Sequence, residues 1–309
     1  MLTVTSRYTI DGVPEAVAGH GAALDTLPVG SPGKVGLLDL AFARRGGRTE
    51  LVRHYQKTPL QIMRPLYYDQ DRPDLPYVIV MSSGGGVLQG DRYRMDLSCG
   101  AGASLHVTTQ AATKVYRMEQ DYATQLVTIS AGPGAYLEYL PDPVIPYAGS
   151  RFYQRVELDV DRSASVLVAE TVLAGRLAHG ERHAYTAYCG DLVARDQAGR
   201  LLFADPIRLE PARSPVTGPA VFGDHGVMAS FYAVTSAVPA PALAGALHEA
   251  LREPGGGLTA GASVLPGDTG AWARLLAAES PQITDALARL WDTARRLITG
   301  GPAPGRRRF

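Results

Sequence analysis

At 309 residues, with 46% hydrophobic and 19% charged side chains, the chain has the composition of a folded globular protein and can bury a large core without disulfide staples. Thirty basic and thirty acidic residues cancel, which excludes a field of one sign that would steer the molecule to nucleic acid or an anionic membrane. No apolar run spans a bilayer, no secretory or lipidation pattern occurs, and Cys99 and Cys189 form no CxxC pair, so the expectation is a soluble protein of a reducing cytoplasm.

Residues 1–34 are rich in Ala, Gly and Pro and predict no defined element. From about 35 to 238 apolar residues alternate at the period of strands, in YVIVMSS, YRMDLSC, SLHVTT, QLVTIS, AYLEYL, RFYQRVELDV and SVLVAE. Turn formers separate them, at Gly84 to Gly86, Gly100 to Gly102, Gly132 to Gly134 and Asp196 to Gly199. No strand alternates with a long helical pattern, so the body is predicted to be mainly β and not a doubly wound parallel sheet with crossover helices. After Pro239 the segment 239–309 turns helical. Leu243, Leu247 and Leu251 share one helical face, which Glu253-Pro254-Gly255 ends. A second helix is predicted from Ser280 as N-cap and Pro281, through Ile283, Leu287, Leu290, Trp291 and Leu297, to Gly300-Gly301. Trp272, Leu275 and Leu276 suggest a short third helix between them. Arg306 to Arg308 read as a solvated tail.

Four groups of residues could carry chemistry. The loop Ser82 to Asp91, with Gly85, Gly86 and Gly90, lies between two strands and lacks both the Lys-Ser/Thr pair and the following helix of a phosphate loop, so it reads as a backbone turn. The run Val107 to Arg117 sets Thr109, Gln110 and Lys114 at a strand end, where they form a surface ladder or bind an anion. Asp91, Glu138, Asp142, Glu170 and Glu181 stand beside apolar neighbours. Each is either a structural ion pair, with Arg117, Arg151 or Arg176 as partner, or a weak oxygen ligand for a divalent cation. His179, Glu181 and His183 would share one face if their segment were a strand, which makes a conceivable metal cluster.

Several ordered blocks resemble the UreD/UreH family of urease accessory proteins. They are SSGGGVLQGDRY at 82–93, VTTQAATKVYR at 107–117 and LEYLPDPVIPYAGSRF at 137–152, supported by GRTELVRHYQKTPLQIMRPLYYD at 47–69 and ETVLAGRLAHGE at 170–181, which contains Arg176. The ending GPAPGRRRF departs from the family pattern. The resemblance implies a coiled, β-helix-like body over residues 35–238 with two or three C-terminal α-helices. It also implies a non-enzymatic scaffold that joins a UreF-type adaptor and a UreG-type GTPase on apo-urease. No cofactor is expected to bind tightly; nickel is in transit, with Asp91, Asp142, Glu170 and Glu181 as its expected route. Carboxylates suit transit because softer His or Cys cages would hold nickel too firmly. The rival expectation is a carbohydrate-active enzyme on a coiled β body, with an acid and base drawn from Asp91, Asp142 and Glu170.

Overall fold

The computed structural model describes residues 9–21, 35–219, 221–252 and 257–305. Its elements begin with α1 (Glu15–Ala18), β1 (Val35–Arg45), β2 (Arg48–Lys57), β3 (Leu60–Gln61), β4 (Tyr77–Ser82), β5 (Arg92–Cys99) and β6 (Ser104–Thr109). There follow β7 (Thr113–Val115), β8 (Ala123–Ala131), β9 (Tyr136–Tyr139), β10 (Val144–Pro146), β11 (Arg151–Val160), β12 (Ser165–Leu173), β13 (Ala187–Asp196) and β14 (Leu201–Leu209). The chain continues with β15 (Val227–Val234), α2 (Ala240–Ala250), β16 (Leu258–Val264), β17 (Gly270–Ala277) and α3 (Ser280–Thr299). The predicted mainly β body with C-terminal helices is therefore observed, and every strand segment named from alternation lies on a strand.

Two sheets stack face to face. The first has the order β14-β13-β11-β8-β5-β1-β2, and the second runs β16-β17-β15-β12-β9-β6-β4-β3. From β4 to β13 the chain mostly alternates between them, so that β5, β8, β11 and β13 are parallel neighbours in one sheet while β4, β6, β9 and β12 are parallel in the other. A parallel pair needs a crossover, usually a helix. Here a strand of the opposite sheet makes the crossover, which is the coiled arrangement expected. Hairpins β1-β2 and β13-β14 close the two edges of the first sheet with antiparallel pairs.

The main core fills the space between the sheets, with Phe42, Met95, Ile129 and Val156 from the first facing Val78, Leu105, Leu137 and Val168 from the second. A second core lies on the outer face of the second sheet, where Leu167, Phe231 and Leu275 meet Leu243, Leu247, Ile283 and Leu290 of α2 and α3. Coverage on both sides explains why β15 is buried along its whole length. Each fully buried Leu or Ile of α3 contributes about 1.5–3 kcal/mol relative to an exposed position, so this helix is held by its face more than by propensity.

Three expectations change. Trp272, Leu275 and Leu276 belong to β17, not a third helix, and pair antiparallel with Tyr232, Ala229 and Met228 of β15. The N-cap of α3 is Glu279, whose side chain and that of Gln282 form a reciprocal capping box, and Ser280 is already helical. Leu297 is 45% exposed, and Ile298 turns toward the helix core in its place. Glu253-Pro254-Gly255 and Arg306 to Arg308 lie outside the described residues, as does most of 1–34. Among the described residues no helix is long and apolar enough to cross a membrane.

Candidate functional site

The glycine loop lies where the chain leaves β4 in one sheet for β5 in the other. Val87 N donates to Lys114 O (2.7 Å), Tyr116 N donates to Val87 O (2.9 Å) and the Tyr116 hydroxyl donates to Gly85 O (3.1 Å), so the loop is tied to the segment around β7. Gln110 N donates to Val80 O (2.9 Å) and sets the other wall. Between these walls is a cavity of about 240 Å³, lined by Gly85, Gly86, Thr109, Gln110, Lys114 and Gln125 among others. Two glycines are required by geometry. A Cβ on Gly86 would lie 2.6 Å from Lys114 O, and Gly90 has φ 76°. Gly86→Val should therefore force the loop off β7 and lower stability by about 1–3 kcal/mol, read as an earlier urea midpoint; an unchanged midpoint with loss of a binding partner would mark the loop as an interface.

Beneath this mouth is a smaller cavity of about 20 Å³, room for about one water molecule. Thr109, Thr113 and Gln125 line both spaces, so the two are adjacent. The inner walls bring Asp142 and Glu170 together. Asp142, just beyond β9, donates its N–H to Thr109 Oγ1 (2.8 Å), and that hydroxyl lies 3.4 Å from Asp142 Oδ2. Glu170 is 8% exposed in the middle of β12, and Gln154 Nε2 donates to its Oε1 (2.9 Å) across the sheet gap. Burial pushes the Glu170 carboxyl up to about 7; the Gln154 hydrogen bond opposes the shift and the nearby Asp205 adds to it.

Strand register extends this polar spot into a row. On the first sheet Tyr93, Gln125 and Gln154 are successive cross-strand neighbours, and on the second Glu170, Ser230 and Arg274 are. A polar band thus crosses an otherwise apolar core perpendicular to the strands. The space that Asp142 and Glu170 line, about 20 Å³, does not itself admit a sugar ring.

Asp91 and Glu181 are placed elsewhere. Asp91 is fully buried and accepts hydrogen bonds from Leu88 N (2.9 Å) and the Tyr93 hydroxyl (2.8 Å), closing the glycine loop. Glu181 pairs with Arg176, whose Nε donates to Oε2 at 2.8 Å, and the Arg176 guanidinium lies over the Tyr147 ring. The segment 179–183 is no strand: a 3-10 turn ends at His179, and Gly180 and His183 take φ of 72° and 51°, so His179, Glu181 and His183 share no face. Among the described residues no three His, Cys, Asp or Glu side chains form a metal-holding group.

Sequence reasoning missed Gln125, Gln154 and Arg274. A signal existed for Gln154, the one polar residue in the inward series Phe152, Gln154, Val156, Leu158 and Val160. It also missed the partner of Glu138. That carboxylate lies under α3, with His106 Nδ1 at 2.7 Å and Arg295 Nη1 at 3.6 Å.

Comparison with known proteins gives one consistent result. A family profile described as UreD urease accessory protein matches residues 34–308. A urease accessory protein UreD 2 of Streptomyces griseus is 57% identical over 94% of this chain and 100% of its own length. A UreD of Cenarchaeum symbiosum is 39% identical (91% of this chain, 99% of the relative), and a UreD 2 of Brucella suis is 34% identical (95% and 97%).

Proposed function

This chain belongs to the UreD family of urease accessory proteins, and from that premise we propose that its polar row is a route along which nickel passes to apo-urease during maturation. A role in urease maturation comes with the family. In the finer reading the chain is a cytoplasmic scaffold, not an enzyme, that joins a UreF-type adaptor and a UreG-type GTPase on apo-urease. Nickel is its cargo, and no cofactor stays bound.

The observation that supports this reading most is the adjacency of the two cavities, which share Thr109, Thr113 and Gln125, with Asp142 and Glu170 lining the inner one. A nickel ion shedding water needs replacement ligands, and the hydroxyl, amide and carboxylate oxygens of Thr109, Gln125, Asp142 and Glu170 supply them. Hard oxygens hold nickel less firmly than imidazole or thiolate would, and the pair lacks enough donors to keep it. Asp91 and Glu181, the other two carboxylates of the expected route, are committed to a turn and an ion pair. In this reading they hold the surrounding fold, and neither lines the two cavities.

The test is Glu170→Ala and Asp142→Ala in the full chain, assayed for assembly with adaptor, GTPase and urease and then for nickel content and urease activation. Assembly should persist while nickel content and activation fall together by about tenfold or more. Full activation by the folded variants would remove both carboxylates from the route, and failed assembly would make them structural.

A further inference from the structure

The row does not stop at Glu170. In register with it across β15 is Arg274 of β17, and the Arg274 side chain turns inward, where its Nη2 donates to Asp205 Oδ2 (2.6 Å) and its Nη1 approaches Met228 Sδ (3.8 Å). Asp205 belongs to β14, so this ion pair ties the two sheets together at the end of the row remote from the glycine loop. The same carboxylate oxygen accepts the Tyr232 hydroxyl at 2.5 Å. The two side chains are 27% and 23% exposed, at the boundary between core and solvent.

Along this row, then, carboxylates recur at Asp142, Glu170 and Asp205, and a guanidinium stands against the last of them. A guanidinium stays protonated at any physiological pH and cannot leave by giving up a proton. Unlike a buried lysine, it can leave a carboxylate only by swinging away. Trp272, whose ring lies 5.5 Å from the Arg274 guanidinium carbon, offers a face on which the displaced group could rest.

We propose that Arg274 is a tethered stand-in for the cargo: it occupies the Asp205 carboxylate while the row is empty, and a divalent cation passing that end must displace it. The proposal rests on the reading of the row as a cation route. Two charges on one small ion outbid one delocalised charge for the same oxygen, yet the guanidinium remains covalently held nearby and returns when the ion moves on. The pair thereby shortens the stay of the ion at the end carboxylate.

Nickel chloride titrated into the full chain tests this, by calorimetry and by metal content after gel filtration. Arg274→Met should bind Ni²⁺ about tenfold more tightly than the parent or better, because the site loses its internal competitor. The gain should vanish in Arg274→Met/Asp205→Asn, and Arg274→Lys, which keeps a cation, should resemble the parent. If the Met variant does not fold, Arg274→Gln removes the charge while keeping a donor for Asp205 and is expected to show the same gain. Unchanged Ni²⁺ affinity in the uncharged variants overturns the proposal, as does a gain that survives loss of Asp205. The route reading is judged separately by Glu170→Ala. If that variant impairs activation while Arg274→Met gains no nickel, the route stands and the stand-in falls. If Arg274→Met gains nickel at Asp205 while Glu170→Ala activates fully, the Asp205 station stands and the route falls.

Discussion

Replacing Arg295 with methionine is expected to lower unfolding stability by about 3–5 kcal/mol, a large share of the roughly 5–15 kcal/mol that holds a typical domain. Arg295 is in α3 and is 0% exposed. Its Nη2 donates to Asp69 and its Nη1 to the Tyr77 hydroxyl (3.0 Å), with Glu138 Oε1 at 3.6 Å. Glu138 itself is fully buried and accepts the Tyr136 hydroxyl at 2.5 Å. Burial alone would raise the Glu138 carboxyl, but His106 and then Arg295 outweigh it and hold the group below the usual range. Methionine fills much of the volume and removes the cation, leaving two buried carboxylates, Asp69 and Glu138, short of their counter-charge. Urea denaturation followed by far-ultraviolet circular dichroism measures the loss. Adding Asp69→Asn and Glu138→Gln should recover much of it, since a network removed as a whole costs far less than one broken in half. A loss under about 1 kcal/mol for Arg295→Met, within the range of an exposed pair, would mean that α3 is held by its apolar face alone.

The second large effect is a pH dependence that Glu170→Gln abolishes. In the unfolded chain this carboxyl titrates near 4.5, and in the fold near 7. Between those values the folded protein holds a proton that the unfolded chain has lost. The contribution to stability is therefore complete below 4.5 and is lost as pH rises through 7, by about 3 kcal/mol in all from 1.36 kcal/mol per unit. Above pH 7 the fold carries a buried carboxylate whose closest hydrogen-bond donor is neutral Gln154. Glutamine keeps the shape without the charge. Its stability relative to the parent should accordingly rise by about 2.5 kcal/mol from pH 5 to pH 8, read from urea midpoints at each pH. Parallel curves for parent and variant would show that the carboxyl does not titrate in this window. The same linkage bears on function: a cation bound at Glu170 below pH 7 must release a proton, so transfer through the row should weaken at pH 6 relative to pH 8.

A stability cost at Glu170 is what separates it from the other carboxylates of the sequence. Glu138 and Glu181 each meet a partner that favours the charged form, and Asp91 accepts two hydrogen bonds within the glycine loop. Glu170 meets one neutral amide and an inner cavity shared with a second carboxylate. From sequence these residues looked alike, because an acidic residue between apolar neighbours has the same local pattern whatever lies across the sheet gap.

The strands and turns were legible in the sequence for a local reason. Side chains of β5 and β11 alternate between the core and a less buried face, so period two is written into the chain itself. The same holds for α3, whose inward residues recur at helical spacing, and the glycine-loop and Thr-Gln-Ala-Ala-Thr-Lys blocks were enough to point to the family. Where both faces of a strand are covered the local record is lost. Trp272 and Leu276 face the inter-sheet core and Leu275 faces the helices, so three apolar residues at positions 272, 275 and 276 imitate a helix while lying on β17. Tertiary structure alone decided which polar groups meet. Gln154, Glu170, Asp205 and Arg274 come from β11, β12, β14 and β17, and only the stacking of two sheets in one register brings an amide, two carboxylates and a guanidinium into a single row, since contacts across a sheet gap leave no period in the sequence of either strand.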